Sequence, residues 1–193
     1  MNPEVQRKLQ AELDQALGPT VREGDLINAV ATFDQVKSLP YLEACINEGL
    51  RIHSTSAMGL PRVVPAGGLI AAGRFFPQGS ILSVPSFTIH RDRDVWGDDA
   101  DVFRWVSILI VLLNAKLMIA ARPERWFERD KDQMLKTFNP FSWGPRACVG
   151  KNLATMELLI IIGTLLKRYD FTPREPDVPV RVLHITSFLL SFW

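Results

Sequence analysis

Cys148 lies in a stretch whose residue types suit a sulfur that acts as a ligand. Residues 138–150 read FNPFSWGPRACVG, and an apolar run with helical spacing follows them. The start of a helix leaves backbone N–H groups unpaired and carries the positive end of the helix dipole, and both features favour a thiolate. The position of Cys148 therefore predicts a thiolate ligand.

The residues around Cys148 offer what a flat, anionic partner of the sulfur would need. Gly144 can adopt a turn conformation that other residues disfavour, and Gly150 lets a flat group approach the helix backbone closely. Arg146 stands two residues from the sulfur, where it can meet an anionic group on that partner. Phe141 can cover the sulfur and keep water from it. Together these roles predict a thiolate that binds haem iron.

Two other interpretations of Cys148 stay open, a buried structural cysteine and a catalytic nucleophile. No histidine lies near it in sequence, since the chain has only His53, His90 and His184, and a nucleophile needs an adjacent base. The second cysteine, Cys45, falls on the apolar side of a predicted helix and is expected to be a core residue. Two cysteines in such different contexts argue against a disulfide framework and fit a reducing compartment.

The stretch from Phe141 to Gly150 resembles the haem-binding signature of the cytochrome P450 monooxygenases, and every fixed position of that signature is filled. The resemblance implies haem b as the cofactor, with Cys148 as the axial ligand of the iron. It also implies that NADPH–cytochrome P450 reductase delivers electrons and that a small organic substrate is hydroxylated. In such enzymes the thiolate pushes electron density that favours O–O cleavage.

A charged pair on the third predicted helix supports the same resemblance. Glu48 and Arg51 are three residues apart, so they share one helical face. Taken alone, an exposed surface pair is the ordinary explanation of this spacing. In the family, however, the pair bonds to an arginine of a later Pro-Glu-Arg element, and Arg125 fills that position. The resemblance therefore implies a buried network that braces the loop carrying the cysteine.

Further positions resemble family residues that contact the cofactor or the substrate. Arg62, like Arg146, resembles an arginine that pairs with a haem propionate, although a solvated strand arginine is the alternative. His90 is similar to a recurrent family histidine, and we expect an ordinary hydrogen-bonded residue without an assigned role. A segment that passes over the haem in the family supplies the candidate substrate contacts, Ser54, Thr55, Ser56 and Met58.

The amino-acid sequences of several stretches narrow the resemblance to one fungal branch of the family. MGLPRVVPAGG, SVPSFTIHRD and VWGDDADVFR look most like the members that para-hydroxylate benzoate. This likeness implies a small aromatic acid as the substrate.

The pattern of apolar residues, caps and turn residues predicts an α+β fold, mainly helical with a small β-sheet. The chain has 193 residues, 47% of them hydrophobic, and this fits one domain with a substantial core. The net charge of +1 gives no support for nucleic-acid binding. Helices are predicted from residues 3, 32, 40, 86 and 150, strands between 59 and 84, and a loop over 122–147.

The resemblance implies the C-terminal, haem-proximal part of the cytochrome P450 fold, truncated, with residues 1–193 as a single partial domain. Family chains are more than twice as long, and the helix that delivers protons to oxygen has no counterpart, so no catalytic residue is assigned. Full-length members lie on the cytosolic face of the endoplasmic reticulum membrane. Because the N-terminal anchor is absent, we expect this chain to be cytosolic.

Two segments depart from the family pattern. Residues 105–122 separate VFR from PERW, which are contiguous in the family, and we hypothesise an in-frame insertion of translated intron. A core or interfacial helix is the alternative, whereas a membrane span would need about 20 apolar residues. Residues 179–193 lack the usual final hairpin pattern and are predicted to be a divergent tail.

Two function classes follow from these expectations. The chain is either part of a haem-thiolate monooxygenase or a non-catalytic fragment, a pseudoenzyme unable to retain haem.

Overall fold

The computed structural model describes residues 3–18, 30–100 and 122–171. Residues 105–121 of the hypothesised insertion and the whole of the predicted tail, 179–193, lie outside the described residues. The fold that follows is therefore the fold of the three described ranges.

The described residues are mainly helical, with a small antiparallel β component. The helices are α1 (Pro3–Leu17), α2 (Phe33–Val36), α3 (Pro40–Ile52), α4 (Ser86–Ile89), α5 (Arg93–Trp96), α6 (Arg125–Glu128), α7 (Lys131–Thr137) and α8 (Lys151–Arg168). The strands are β1 (Arg62–Val63), β2 (Leu69–Ala71), β3 (Arg74–Phe76) and β4 (Ile81–Leu82).

Four helices, α1, α2, α3 and α8, pack around the larger hydrophobic core. The spacing of Leu9 and Leu13 turns both to one face of α1, where both are fully buried. Gly163 lets α8 approach α2 closely, because a Cβ atom there would lie 3.2 Å from Val36 Cγ1. The buried members of this core are Leu9, Leu13, Ala31, Val36, Leu42, Ile46, Leu159 and Leu166.

The predicted β-sheet is two separate two-stranded sheets within the described residues. Strand β1 pairs antiparallel with β4, with Arg62 opposite Leu82. Strand β2 pairs antiparallel with β3, with Leu69 opposite Phe76. Each sheet is a pair of strands of two or three residues, so few backbone hydrogen bonds join the strands in this part of the chain.

The predicted loop over residues 122–147 is wrong, because α6, α7 and a 3₁₀ turn (Gly144–Arg146) lie there. These elements are too short for apolar periodicity to reveal them. Helix α7 begins with a local signal instead: the Asp130 side chain accepts hydrogen bonds from the backbone N–H groups of Asp132 and Gln133.

A second apolar cluster lies around α5, α6 and α7. Its buried residues are Ala44, Val95, Trp96, Ala100, Trp126 and Met134, with Phe138 packed against them. Phe138 is the first residue of the segment 138–149, which we call the cysteine loop. The second cluster therefore supports the point where this loop begins.

Candidate haem-binding site

The cysteine loop folds back on itself before α8 begins. The backbone N–H of Cys148 donates to the carbonyl oxygen of Phe141 at 2.8 Å. Ser142 and Gly144 both have positive φ angles, 62° and 72°, and these reverse the chain. Gly150 is the N-cap of α8. The loop therefore holds Cys148 two residues before the N-cap of α8, and the cysteine is exposed.

The surface beside the sulfur is open and apolar. A Cβ atom built on Gly150 would meet Cys148 Sγ at 3.9 Å and, chain neighbours aside, no other atom of the described residues within 4 Å. Val149 is fully exposed and Leu153 is 56% exposed. Because moving apolar surface out of water lowers the free energy, this surface fits a flat apolar partner.

A cavity of about 520 Å³ lies between the strands and the cysteine loop. Arg62 of β1 and Arg146 of the cysteine loop both line it, together with Ser56, Asn139 and Trp143. Both arginines are exposed, and Arg62 Nη1 donates only to the neighbouring Pro61 carbonyl oxygen among the hydrogen bonds described. The structure thus brings the two predicted propionate-binding arginines to one cavity. Cys148, Phe141 and Gly144 are not among its lining residues.

The four candidate substrate contacts do not share one position. Ser56 lines the cavity. Ser54 is buried, and its hydroxyl has no hydrogen-bond partner among the described residues. Thr55 and Met58 are exposed and lie outside the cavity lining. The structure therefore places only Ser56 beside the two arginines.

Glu48, Arg51 and Arg125 form one buried network. Arg51 Nε and Nη2 donate to the two carboxylate oxygens of Glu48, both at 2.9 Å. Arg125 Nε donates to Glu48 Oε1, also at 2.9 Å. Their side chains are at most 1% exposed. The alternative of an exposed surface pair for Glu48 and Arg51 is therefore wrong.

Asp99, which was not among the predicted site residues, also joins this network. Arg125 Nη2 donates to Asp99 Oδ2 at 3.0 Å. Burial alone would raise the pKa of Asp99, but the charges and hydrogen bonds of Arg125 and Arg122 outweigh it and lower the pKa. Glu48 thus faces both Arg51 and Arg125, and Asp99 faces Arg125. No spacing signal marked Asp99, because it lies in an acidic run far along the chain from both arginines.

Two aromatic side chains complete the surroundings of the network. Trp126 Nε1 donates to Glu48 Oε2 at 3.2 Å, and Arg51 lies over the ring of Trp96, 5.3 Å from its centroid. The Trp96 and Trp126 rings meet edge to face at 5.5 Å. Apolar rings therefore exclude water from the carboxylate that the two arginines share.

His90 connects this network with the cysteine loop. Its Nδ1 lies 3.2 Å from the carbonyl oxygen of Arg51, and the backbone N–H of Asn139 donates to its Nε2 at 3.0 Å. The side chain is fully buried, and burial lowers the pKa of His90 to about 4. The expectation of a hydrogen-bonded histidine without chemistry of its own fits this geometry.

The donor set of the site fits haem better than a bare metal ion. No group of three or more His, Cys, Asp and Glu residues in the described ranges could hold a metal. A single exposed thiol suits a metal that brings its other ligands in a macrocycle. The two arginines at one cavity suit the carboxylates of such a group. The residues present therefore fit the cofactor that the sequence implies.

Among the described helices, none is both long enough and apolar enough to cross a bilayer.

Comparison with known protein families matches most of the chain to the family that the sequence resembles. The family model described as Cytochrome P450 matches residues 1–106 and 122–191. Residues 107–121 fall outside that match, and they lie within the hypothesised insertion.

Several fungal proteins are similar to this chain. Benzoate 4-monooxygenase bphA of Aspergillus niger is 43% identical over 176 residues, which is 90% of this chain and 29% of the relative. A cytochrome P450 monooxygenase of Aspergillus terreus is 35% identical over 88% of this chain and 30% of its own length. Pisatin demethylase of Fusarium vanettenii is 32% identical over 92% of this chain and 30% of its own length. The chain thus spans about three tenths of the length of these curated relatives.

Proposed function

The chain belongs to the cytochrome P450 family, and on that premise we propose that it carries the haem-binding part of a haem-thiolate monooxygenase. One observation supports the proposal most directly. An exposed thiol stands at the start of α8, and Arg146, two residues before it, shares a cavity with Arg62. A thiol and two guanidinium groups are the partners that an iron porphyrin with two carboxylates requires.

Each residue has a distinct part in this proposal. The Cys148 thiolate would hold the iron, and Arg62 and Arg146 would bind the two propionates. Gly150 leaves the helix N-terminus open to the flat ring, and the Glu48 network keeps the base of the cysteine loop rigid. Bound haem supplies the oxygen activation. The protein binds and orients the group.

We propose a small aromatic acid as the substrate. The similarity to a protein named benzoate 4-monooxygenase supports this class, and Ser56 offers a hydroxyl at the cavity that could bind a carboxylate. One atom of O₂ enters a C–H bond, and the other leaves as water with two protons and two electrons. The electrons come from NADPH through a reductase partner. The location of full-length members at the endoplasmic reticulum membrane stays a prediction.

The test of haem ligation uses the purified chain loaded with haem, reduced and exposed to carbon monoxide. We expect the red-shifted Soret band of a thiolate-ligated ferrous adduct. C148S should lose this band, whereas C45S should keep it, because Cys45 is held among core residues of α3. A folded chain that binds haem without the band, or binds none, would favour the non-catalytic fragment.

A second test addresses the substrate class. Benzoate added to the haem-loaded chain should change its absorption spectrum saturably, and benzamide, which is neutral and of the same shape, should bind at least tenfold more weakly. Equal responses to both compounds would argue against recognition of the carboxylate.

We also propose that residues 105–122 are translated intron. The family match omits residues 107–121, and removing 105–122 joins VFR directly to PERW. Sequencing the transcript tests whether residues 105–122 are translated intron. A spliced message that still encodes VSILIVLLNAKLMIAA would refute the proposal.

A further inference from the structure

His90 occupies a fully buried position between the end of α3 and the start of the cysteine loop. One ring nitrogen faces the carbonyl oxygen of Arg51, and the other accepts the backbone N–H of Asn139, which lies 49 residues further along the chain. The imidazole is therefore a direct bridge between the helix that carries the Glu48 network and the loop that carries Cys148.

The two partners fix the state of the ring. A carbonyl oxygen can only accept, so Nδ1 must carry the hydrogen, and a backbone N–H can only donate, so Nε2 must be the free acceptor. Only the neutral Nδ1–H tautomer satisfies both bonds. Arg51 and Arg91 are the charged groups that act on the ring, and both disfavour the imidazolium.

Neighbouring rings hold the imidazole in place. Phe138 lies 5.3 Å away and Trp96 6.2 Å away, measured between ring centroids. Both belong to the second apolar cluster or pack against it. Because this packing restricts the ring, the acceptor Nε2 stays directed at one backbone position.

The bond at Asn139 is the first of a series that reaches the sulfur. The carbonyl oxygen of Asn139 accepts the N–H of Ser142 at 3.1 Å, and that of Phe141 accepts the N–H of Cys148 at 2.8 Å. Pro140 has no N–H to donate, so the amide of Asn139 is the nearest backbone donor before Phe141. Fixing Asn139 therefore fixes the starting point of the reversal that presents Cys148.

We propose that His90 is a positioning residue for the Cys148 ligand, acting through the N–H of Asn139 rather than by contact with the cofactor. The part concerning ligation rests on the proposed function. The part concerning the loop does not, because it requires only that the hydrogen bond hold the cysteine loop.

Two substitutions separate this role from general support of the fold. In H90N the side chain keeps a donor at the position of Nδ1 but cannot reach Asn139. In H90Q the side-chain oxygen reaches the position of Nε2 and can accept the N–H of Asn139, but the donor to Arg51 is displaced. Each variant removes one buried hydrogen bond, so a merely structural role predicts the same effect for both.

The experiment measures the full chain without haem and then with it. Without haem, backbone hydrogen exchange over residues 139–148 and the alkylation rate of Cys148 report the order of the loop, with Cys45 as the internal control. We expect exchange about tenfold faster in H90N than in H90Q, the factor expected from losing one buried hydrogen bond. With haem, H90N should lose a larger share of the thiolate–carbon monoxide band than H90Q, when each variant is measured at the same interval below its own melting temperature.

Equal loop exchange in the two variants would overturn the proposal. Should either variant fail to fold, nitrogen chemical shifts of His90 in the unsubstituted chain decide instead, since an Nε2–H tautomer is incompatible with the bond from Asn139. If the unsubstituted chain shows no thiolate band while H90N still loosens the loop, the proposed function fails and the positioning role stands.

Discussion

Glu48 is a carboxylate withdrawn from water and shared by two arginines, and its charge is the central one of the network. Removing one member of a buried ionic network leaves the others uncompensated, which costs about 3–5 kcal/mol. We expect E48Q to lower the free energy of unfolding by that amount, measured by urea denaturation. The control is E4Q, which disturbs an exposed pair between Glu4 and Lys8 and should change stability far less than E48Q does, because water screens exposed charges. A loss in E48Q as small as in E4Q would contradict the network's role.

His90 makes the stability of the chain depend on pH. Its pKa falls from 6.5 in a model peptide to about 4 in the folded chain, so the unfolded state binds a proton more readily. The contribution is complete above pH 6.5 and is lost as the pH falls from 6.5 towards 4. Its full size is about 3 kcal/mol.

The measurement of this dependence is a series of urea denaturations between pH 4.5 and 7.5. The difference in unfolding free energy between the unsubstituted chain and H90Q should shrink as the pH falls, because H90Q cannot titrate. A difference that stays constant over this range would show that the folded pKa of His90 is close to its ordinary value.

Arg62 and Arg146 offer a test of cofactor binding that leaves the sulfur unchanged. Each charge-assisted hydrogen bond to a carboxylate contributes about 1.5 kcal/mol, roughly tenfold in affinity. We expect R62A and R146A each to weaken haem binding about tenfold, measured by absorbance titration. R74A is the matched control, because Arg74 is an exposed strand arginine outside the cavity lining. Equal affinities for R62A and R74A would remove Arg62 from the site.

At the scale of the elements, the long helices α1, α3 and α8 could be predicted from the sequence, whereas the short helices α6 and α7 could not. Helix α3 begins at Pro40 as predicted, and α8 begins one residue after the predicted Gly150. These helices span enough turns for an apolar stripe and a terminal signal to agree. Helix α6, with four residues, completes only one turn. Its burial depends on partners from other parts of the chain.

The same distinction applies to the candidate site. The spacing of Glu48 and Arg51 lies within one helix, so the sequence displays it. The bonds of Asp99 to Arg125 and of His90 to Asn139 join separate elements. Such contacts arise only when the second apolar cluster brings those elements together, and no local pattern encodes them.

Gly163 shows how one residue determines the packing of a helix pair. A β-branched side chain there would press on Val36, and a Cβ atom alone already lies 3.2 Å from its Cγ1. We expect G163V to lower the free energy of unfolding by about 2 kcal/mol through overpacking. E157V, on an exposed position of α8, carries only the difference in helix propensity between glutamate and valine, which is below about 0.6 kcal/mol. Equal losses in the two variants would show that α8 and α2 can separate without cost.

At the scale of the whole molecule, the two apolar clusters are buried while the strands expose apolar side chains. Val63, Ile70, Phe75 and Ile81 are each at least 65% exposed. An exposed apolar surface of this kind favours association between chains. Solubility is therefore sensitive to any further apolar segment that the chain carries.

Residues 105–122 supply such a segment and allow a test at this scale. VSILIVLL within it is uncharged, β-prone and free of proline, the composition of an aggregation-prone run. Deleting 105–122 places Arg104 directly before Pro123, where Arg122 now stands, so the residue type next to the Glu48 network is unchanged. We expect the deletion variant to give a higher soluble yield, measured by light scattering and sedimentation.

The free-energy cost of closing the chain segment that contains residues 105–122 is small, so an effect of the deletion on aggregation can be distinguished from an effect on stability. Lengthening a connection costs only about 0.6 kcal/mol for each doubling, so the deletion should change the free energy of unfolding by no more than about 2 kcal/mol. A variant in which VSILIVLL is replaced by eight alternating Gly and Ser residues keeps the length and should gain solubility equally. If that variant stays as insoluble as the unsubstituted chain while the deletion variant is soluble, length rather than the apolar run limits the molecule.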